Sequence, residues 1–425
     1  MKKVLLRSPI LTQSGYGHHG RTVFRALLSR TDMFDVYLQP INWGNTSWLC
    51  ENTPERALID QIIKKTVAYM HGGGQFDMSL QVTIPNEWER IAPVNIGITA
   101  GIEATQISPK WIEKSNIMDR IITISEFAKS GFENTVYQAQ NKQTGQPFEY
   151  KVFKPVSHIG YPVQEFEVEK VKLNLTTKFN FLTVAQMGPR KNLASTIKTF
   201  IETFRDNEDI GLIVKTNMAK NSKLDRVNTL NKLKNAVNSL GEKKCKIYLL
   251  HGKLSDNEMA GLYKNPKVKA LVSATHGEGF GLPLFEAAYY GLPVIATDWS
   301  GHLDFLYMPQ KQKNGKEKMK HMFGKVSYNL APIQQEAVWQ DVLIPEAHWA
   351  YPDLNSLKEN MLDMHKDHGR FKKRAKQLQS WIKENFTEEK IYKQYVDEII
   401  GFDSSMFYAP EKDEAEQNEV VLEFE

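Results

Sequence analysis

Apolar and polar positions alternate along this 425-residue chain in two recurring lengths. Short runs rich in Val, Ile and Leu are followed by longer segments in which apolar residues recur every three or four positions. That is the pattern of strands and covering helices in a parallel sheet. In the first half it predicts strands over Lys3–Arg7, Val36–Gln39, Val67–Met70, Val94–Thr99 and Arg120–Ile124. Helices are predicted over His18–Ser29, Pro54–Lys65, Pro109–Asn116 and Glu126–Val136. The run from Glu149 to Leu175 has no stable period and carries Pro155, Gly160 and Pro162, so it reads as a linker. The alternation then restarts, with strands over Phe179–Ala185, Leu212–Thr216, Lys246–Leu250, Ala270–Ala274 and Pro293–Thr297. Helices are predicted over Leu193–Phe204, Asp225–Leu240, Asp256–Lys264 and Leu282–Tyr290. Ser255 with Glu258 forms a capping box, and Gly291 followed by Pro293 stops the last of these helices.

Two tandem, doubly wound, Rossmann-like α/β domains follow from this pattern, at 1–175 and 176–353. A helical segment at 354–402 is long enough to cross back to the first domain, and an acidic tail at 403–425 has no apolar period. Hydrophobic residues at 41% and charged residues at 24% are ordinary for a globular chain and exclude global disorder. Cys50 and Cys245 alone provide neither a disulfide framework nor a cysteine metal site, which fits a reducing, cytoplasmic setting. The start is too short and too polar for a signal peptide, and no run approaches the roughly eighteen apolar residues of a membrane span.

The net charge of +4 conceals an asymmetry. Residues 1–176 carry +2, residues 177–320 carry 23 basic against 13 acidic side chains, and residues 321–425 carry 12 against 20. The lysines of 309–320 have no apolar face beside them and read as an exposed basic loop.

The chemistry concentrates at His276-Gly277-Glu278-Gly279-Phe280-Gly281-Leu282-Pro283-Leu284-Phe285-Glu286. Three glycines between a strand and a helix turn backbone N–H groups toward an anion at the helix N-terminus. Glu278 and Glu286, eight residues apart, are good acceptors for vicinal hydroxyls. Phosphate at the turn with acids on either side suits a nucleotide sugar. Phe280, Phe285, Tyr289 and Tyr290 fall at spacings that suit packing beneath such a site.

This Glu-x7-Glu element, with Gly-Phe-Gly-Leu-Pro inside it and Gly291-Leu-Pro-Val-Ile-Ala-Thr297 after it, resembles the donor site of retaining GT-B glycosyltransferases, family 4. The resemblance implies two Rossmann-like domains facing a central cleft. It directs Glu278 at the transferred sugar and Glu286 at the ribose of the donor, with Gly279, Phe280, Gly281 and Leu282 at its phosphates. Lys191 matches a family lysine aimed at the diphosphate. Gln186 stands where the family has a cation, a departure for which either the neighbouring Arg190 compensates or phosphate binding rests more on Lys191 and the glycine turn; Lys215 is a weaker candidate. In the first half, Gly15-Tyr16-Gly17 matches a glycine loop near donor and acceptor, and Glu103-x5-Pro109-x-Trp111 followed by Ser125-Glu126-Phe127 resembles one subgroup.

Tyr16 and Glu103 are therefore acceptor-side candidates, joined by His18 and His71, which lie at predicted loop and strand ends where they could line the cleft; Glu278, Lys191 and Arg190 are the catalytic ones. No Asp-x-Asp and no helical His-x3-His pair occurs, so no metal is expected, and no cofactor beyond the nucleotide-diphosphate sugar itself. The expected function is retaining, metal-independent sugar transfer to an acceptor hydroxyl, by default of a glycan or small molecule. One alternative acceptor is a modified base of DNA, suggested by the basic second half. Another reading is a non-catalytic module that binds a nucleotide sugar.

Overall fold

The computed structural model describes residues 1–44, 46–141, 146–312 and 315–401; the acidic tail read at 403–425 and Lys313 of the basic segment lie outside them. In the first half, β1 (Lys2–Ser8), β2 (Phe34–Pro40), β3 (Met78–Val82), β4 (Val94–Thr99) and β5 (Arg120–Thr123) alternate with helices. These are α1 (Gly15–Leu28), α2 (Pro54–His71), α3 (Pro109–Asn116) and α4 (Glu126–Asn134). A hairpin of β6 (Tyr137–Gln140) and β7 (Pro147–Tyr150) leads to β8 (Val156–His158). The sheet runs β2-β1-β3-β4-β5-β8, all parallel. Each helix begins where a hydroxyl satisfies an orphan N–H: Ser14, Thr53, Ser108 and Ser125 accept from Gly17, Arg56, Trp111 and Ala128.

The second half contains β9 (Phe179–Val184), α5 (Leu193–Phe204), β10 (Ile210–Lys215), α6 (Lys223–Asn238), β11 (Lys246–Leu250), α7 (Asp256–Tyr263) and β12 (Val268–Ser273). It continues through α8 (Leu282–Tyr289), β13 (Val294–Thr297) and α9 (Leu303–Leu306), then a hairpin of β14 (Tyr307–Lys311) and β15 (Glu317–His321), and β16 (Gly324–Val326). The parallel order β11-β10-β9-β12-β13-β16 is the Rossmann order 3-2-1-4-5-6. Its direction reverses between β9 and β12, and ligands of such sheets bind beyond the carboxyl ends of the strands at that reversal. The capping box of α7 is formed by Ser255 and Glu258.

The chain then returns to the first domain twice. In the hairpin of β17 (Tyr328–Pro332) and β18 (His348–Pro352), Trp349 is buried in the first domain's core. Of the terminal helices α10 (Leu354–Lys366), α11 (His368–Asn385) and α12 (Glu388–Ile400), the first two cover the second domain. The last lies on α1, where Tyr395 meets His19 at 2.9 Å. No described helix is long and apolar enough to cross a membrane.

Three expectations are corrected. Val67–Met70 is not a strand but the last turns of α2, whose Thr66 hydroxyl donates to Ile62 and accepts the Leu38 N–H of β2. The third strand is β3, where Ser79 and Gln81 interrupt the apolar signal. Both are buried and satisfied, Ser79 by Asn95 and Gln81 by the backbone of Glu89. The linker region contains β8, a sixth strand only three residues long and too short to show a period. The basic segment is a hairpin rather than a loop, pairing Pro309 with Met319 and Lys311 with Glu317.

Candidate active site

Two loops meet beyond the carboxyl ends of β9 and β12. After β9, Pro189–Lys191 forms a single tight turn, and Asn192 (φ 48°) caps it while donating to the Ala274 carbonyl at 3.0 Å. After β12, the His276 N–H donates to the Arg190 carbonyl at 2.9 Å and Thr275 reaches the same oxygen. The loops are thereby stitched together, with Arg190 and Lys191 facing Glu278.

The Lys191 ammonium donates to both Glu278 carboxylate oxygens, at 2.7 and 2.6 Å. The Arg190 guanidinium donates to the Gly277 carbonyl at 2.6 Å and approaches Glu278 at 3.2 Å. Burial alone would raise the Glu278 carboxyl, but Lys191 and Arg190 outweigh it and hold it at about 2. Burial and the adjacent Arg190 lower the Lys191 ammonium despite Glu278. For Arg190, burial is outweighed by Glu103 and Glu278, and its pKa rises.

A third loop, after β13, supports this one from below. Ser300 adopts φ 84°, rare for a residue with a side chain, and its hydroxyl accepts the Glu278 N–H at 2.8 Å. The Gly301 N–H donates to the Glu278 carbonyl at 2.9 Å. Strain at Ser300 is thus coupled to the placement of Glu278, the sort of local cost that functional sites retain.

The glycines of 277–281 serve approach as well as anion binding. A Cβ on Gly277 would lie 2.9 Å from that of Glu103, and one on Gly279 would lie 2.8 Å from the Ala100 carbonyl. Both glycines therefore let the second domain press against the first. Gly281, at φ 91°, starts α8. The Phe280 ring turns into the core against Tyr161, Phe285 and Phe305, so only its backbone is available to a ligand.

Next to this cluster, a cavity of about 620 Å³ opens between the domains. Gly15, His18 and Arg21 line it from the first domain; Lys215, Lys253 and Glu286 line it from the second. Leu282 is also part of the wall. Glu286 accepts from the Tyr263 hydroxyl at 2.8 Å, and burial pushes its carboxyl up to about 7. Burial and the cations Arg21 and Arg25 push His18 down to about 3, so its imidazole is neutral. The Glu278 cluster does not line this cavity; its charges are turned on one another.

Of the remaining sequence candidates, Glu103 reaches the cluster, 3.1 Å from Arg190. Four others stand elsewhere. Tyr16 is buried against Trp43, its hydroxyl paired with Thr99 at 2.8 Å, where it supports the start of the Ala100 loop. Gly17 is a packing glycine, whose Cβ would fall 2.1 Å from the Thr12 carbonyl. His71 is exposed at the end of α2, which leads into the amino end of β3, opposite the carboxyl ends that face the cleft. Gln186 is exposed and donates to the Met218 carbonyl at 2.9 Å, and it does not line the cavity. Sequence reasoning missed Tyr263 and Ser300, which lie 23 and 22 positions from the glutamates they contact and carry no local signature. Among the described residues no group of three His, Cys, Asp or Glu side chains is placed to hold a metal.

Two facing Rossmann-like domains, with a glycine loop and paired carboxylates at the switch point, define the GT-B architecture of glycosyltransferases. Residues 165–312 match the family model described as glycosyl transferases group 1. The chain is similar to serotype-specific mannosyltransferase WbdA of Escherichia coli, with 36% identity over 124 residues, 28% of this chain and 13% of that protein. A second WbdA sequence shares 34% over the same length. The chain thus matches a small part of these relatives. Among solved structures, sucrose-phosphate synthase from Thermosynechococcus elongatus superposes with a TM-score of 0.61 at 13% identity, covering 95% of this chain and 100% of that one. Anabaena Alr3699/HepE, solved with UDP and glucose, gives 0.56 at 13%, covering 94% and 100%. At such identities these two establish the fold.

Proposed function

We propose that the protein transfers a sugar from a nucleotide-diphosphate sugar to an acceptor hydroxyl, retaining the anomeric configuration and using side-chain cations in place of a metal. The observation that carries this reading is the Glu278–Lys191–Arg190 cluster at the switch point, next to a cleft containing Glu286. The nucleotide occupies the cleft with its ribose hydroxyls on Glu286. The diphosphate lies at the start of α8, where backbone N–H groups, Lys191 and Arg190 meet the charge that grows as it leaves. The bond from the anomeric carbon to the diphosphate oxygen breaks while one to the acceptor oxygen forms on the same face. The acceptor proton passes to the departing diphosphate. Glu278, ionised at every working pH, holds the sugar hydroxyls rather than attacking the anomeric carbon.

A panel of UDP, GDP and ADP sugars tests this, with release of the nucleotide diphosphate as the readout. GDP-mannose belongs in the panel because the WbdA relatives are named mannosyltransferases, and UDP-glucose because HepE was solved with UDP-glucose. Release from at least one donor is expected. Tight binding with no release from any would favour a non-catalytic module instead.

A second acceptor class is favoured by one observation. Lys220, Lys223, Arg226, Lys232 and Lys234, on and before α6, are exposed and form no ion pair among the described residues. An anionic acceptor such as DNA carrying a hydroxymethylated base would meet them. No shift of duplex DNA at low salt and no incorporated sugar would remove this class.

A further inference from the structure

The sequence motif places Glu103 on the acceptor side, but its structural partner belongs to the donor site. The loop that carries it, Ala100–Thr105, is fixed at both ends. The Ala100 N–H donates to the Tyr16 hydroxyl at 3.3 Å, and Thr105 exchanges two bonds with His348 of β18, at 2.8 and 3.0 Å. Gly101 turns the loop at φ 73°, where a Cβ would lie 2.5 Å from that of Ala128. So held, the loop presses Ala100 on Gly279 and Glu103 on Gly277, and its one carboxylate meets Arg190 at 3.1 Å.

The Arg190 guanidinium is thereby shared between two carboxylates from opposite domains. This sharing matters when the donor arrives. A diphosphate competes with Glu278 for Lys191 and Arg190, and Glu278 must turn to the sugar. A guanidinium held only by Glu278 would lose its anchor at that step. One also held by Glu103 keeps its direction, and does so only while the two domains are apposed. We propose that Glu103 is a positioning residue that holds Arg190 toward the donor diphosphate from across the cleft, making the cation that replaces the family's residue at Gln186 dependent on domain apposition. This rests on the glycosyltransferase reading above.

The experiment is a double-mutant cycle of E103Q and R190Q on the full chain. It reads the turnover of whichever donor the wild type uses, alongside the donor product's dissociation constant. E103Q is expected to lower kcat by about tenfold to hundredfold, with the dissociation constant of the nucleotide diphosphate moved by less than about threefold. The double variant should lose little more than R190Q alone, because the two act as one unit. E103D, which keeps the charge, should recover at least part of the loss, which a purely structural role would not allow; thermal unfolding midpoints check that each variant folds. Wild-type kcat in E103Q, or losses that multiply in the double variant, would overturn the role of Glu103 and leave the glycosyltransferase reading standing. Failure of the wild type itself to turn over any donor would overturn both.

Discussion

Lys191 and Glu278 are each other's closest charged partners, with the ammonium 2.7 and 2.6 Å from the two carboxylate oxygens and the carboxylate side chain only 9% exposed. A buried carboxylate that loses one cation is left partly uncompensated. K191Q should therefore destabilise the fold by about 1–3 kcal/mol, with Arg190 limiting the loss. It should also lower kcat/KM for the donor by about 10²–10³, the scale for one missing electrostatic stabiliser. Denaturant unfolding and donor kinetics on the same preparation measure both.

Gln186 makes the opposite prediction. Its amide is spent on the Met218 carbonyl, and its exposed side chain does not line the cavity. Q186A should change donor KM by less than about threefold, since an exposed hydrogen bond is worth about 1 kcal/mol or less and does not touch the donor. A loss comparable to that of K191Q would place the diphosphate differently.

Glu286 gives a pH dependence with a definite sign. Its folded pKa of about 7 lies above the ordinary carboxyl value of 4.5, so the folded chain keeps a proton that the unfolded chain has released. Its contribution to stability is greatest below pH 4.5, falls as pH rises toward 7, and is flat beyond. E286Q removes that dependence. It should be more stable than the wild type by about 3 kcal/mol at pH 8 and by less than about 1 kcal/mol at pH 5. Melting curves across that range provide the check. If the ionised carboxylate takes the ribose hydroxyls, wild-type donor KM should also fall between pH 6 and pH 8, and E286Q should lose that trend.

Gly301 tests the support beneath the cluster. A Cβ there would lie 1.8 Å from the Gly279 carbonyl and 2.7 Å from the Ser125 hydroxyl. Neither neighbour is free to move, because one is backbone and the other caps α4. G301A should cost about 3 kcal/mol, and displacement of the glycine loop should abolish donor binding in whatever folds. A normal melting temperature would show the loop to be more compliant than its contacts imply.

Much of this was readable in the residues. Helix starts were marked by Ser108 before Pro109 and by Ser255 with Glu258, because capping is local chemistry. The glycines of 277–281 were visible, although the sequence suggested anion binding and not that Gly277 and Gly279 also admit the other domain. What was hidden depends on distance along the chain. β3 was missed because Ser79 and Gln81 are satisfied by residues the periodicity does not include. Tyr16 was placed by its neighbourhood in the motif and His71 by a misread strand, whereas the fold buries one and leaves the other exposed near the amino ends of the strands. Ser300's backbone strain and the 3.1 Å contact between Glu103 and Arg190 are tertiary facts with no local signature.

The most direct measurement of the central claim is the donor turnover of E278Q against the wild type, with nucleotide-diphosphate affinity measured by calorimetry on both. If Glu278 holds the transferred sugar, turnover should fall by about 10² or more while affinity for the diphosphate product is kept or increased, since Lys191 and Arg190 are then less strongly held by Glu278. Unchanged turnover in E278Q would contradict the account.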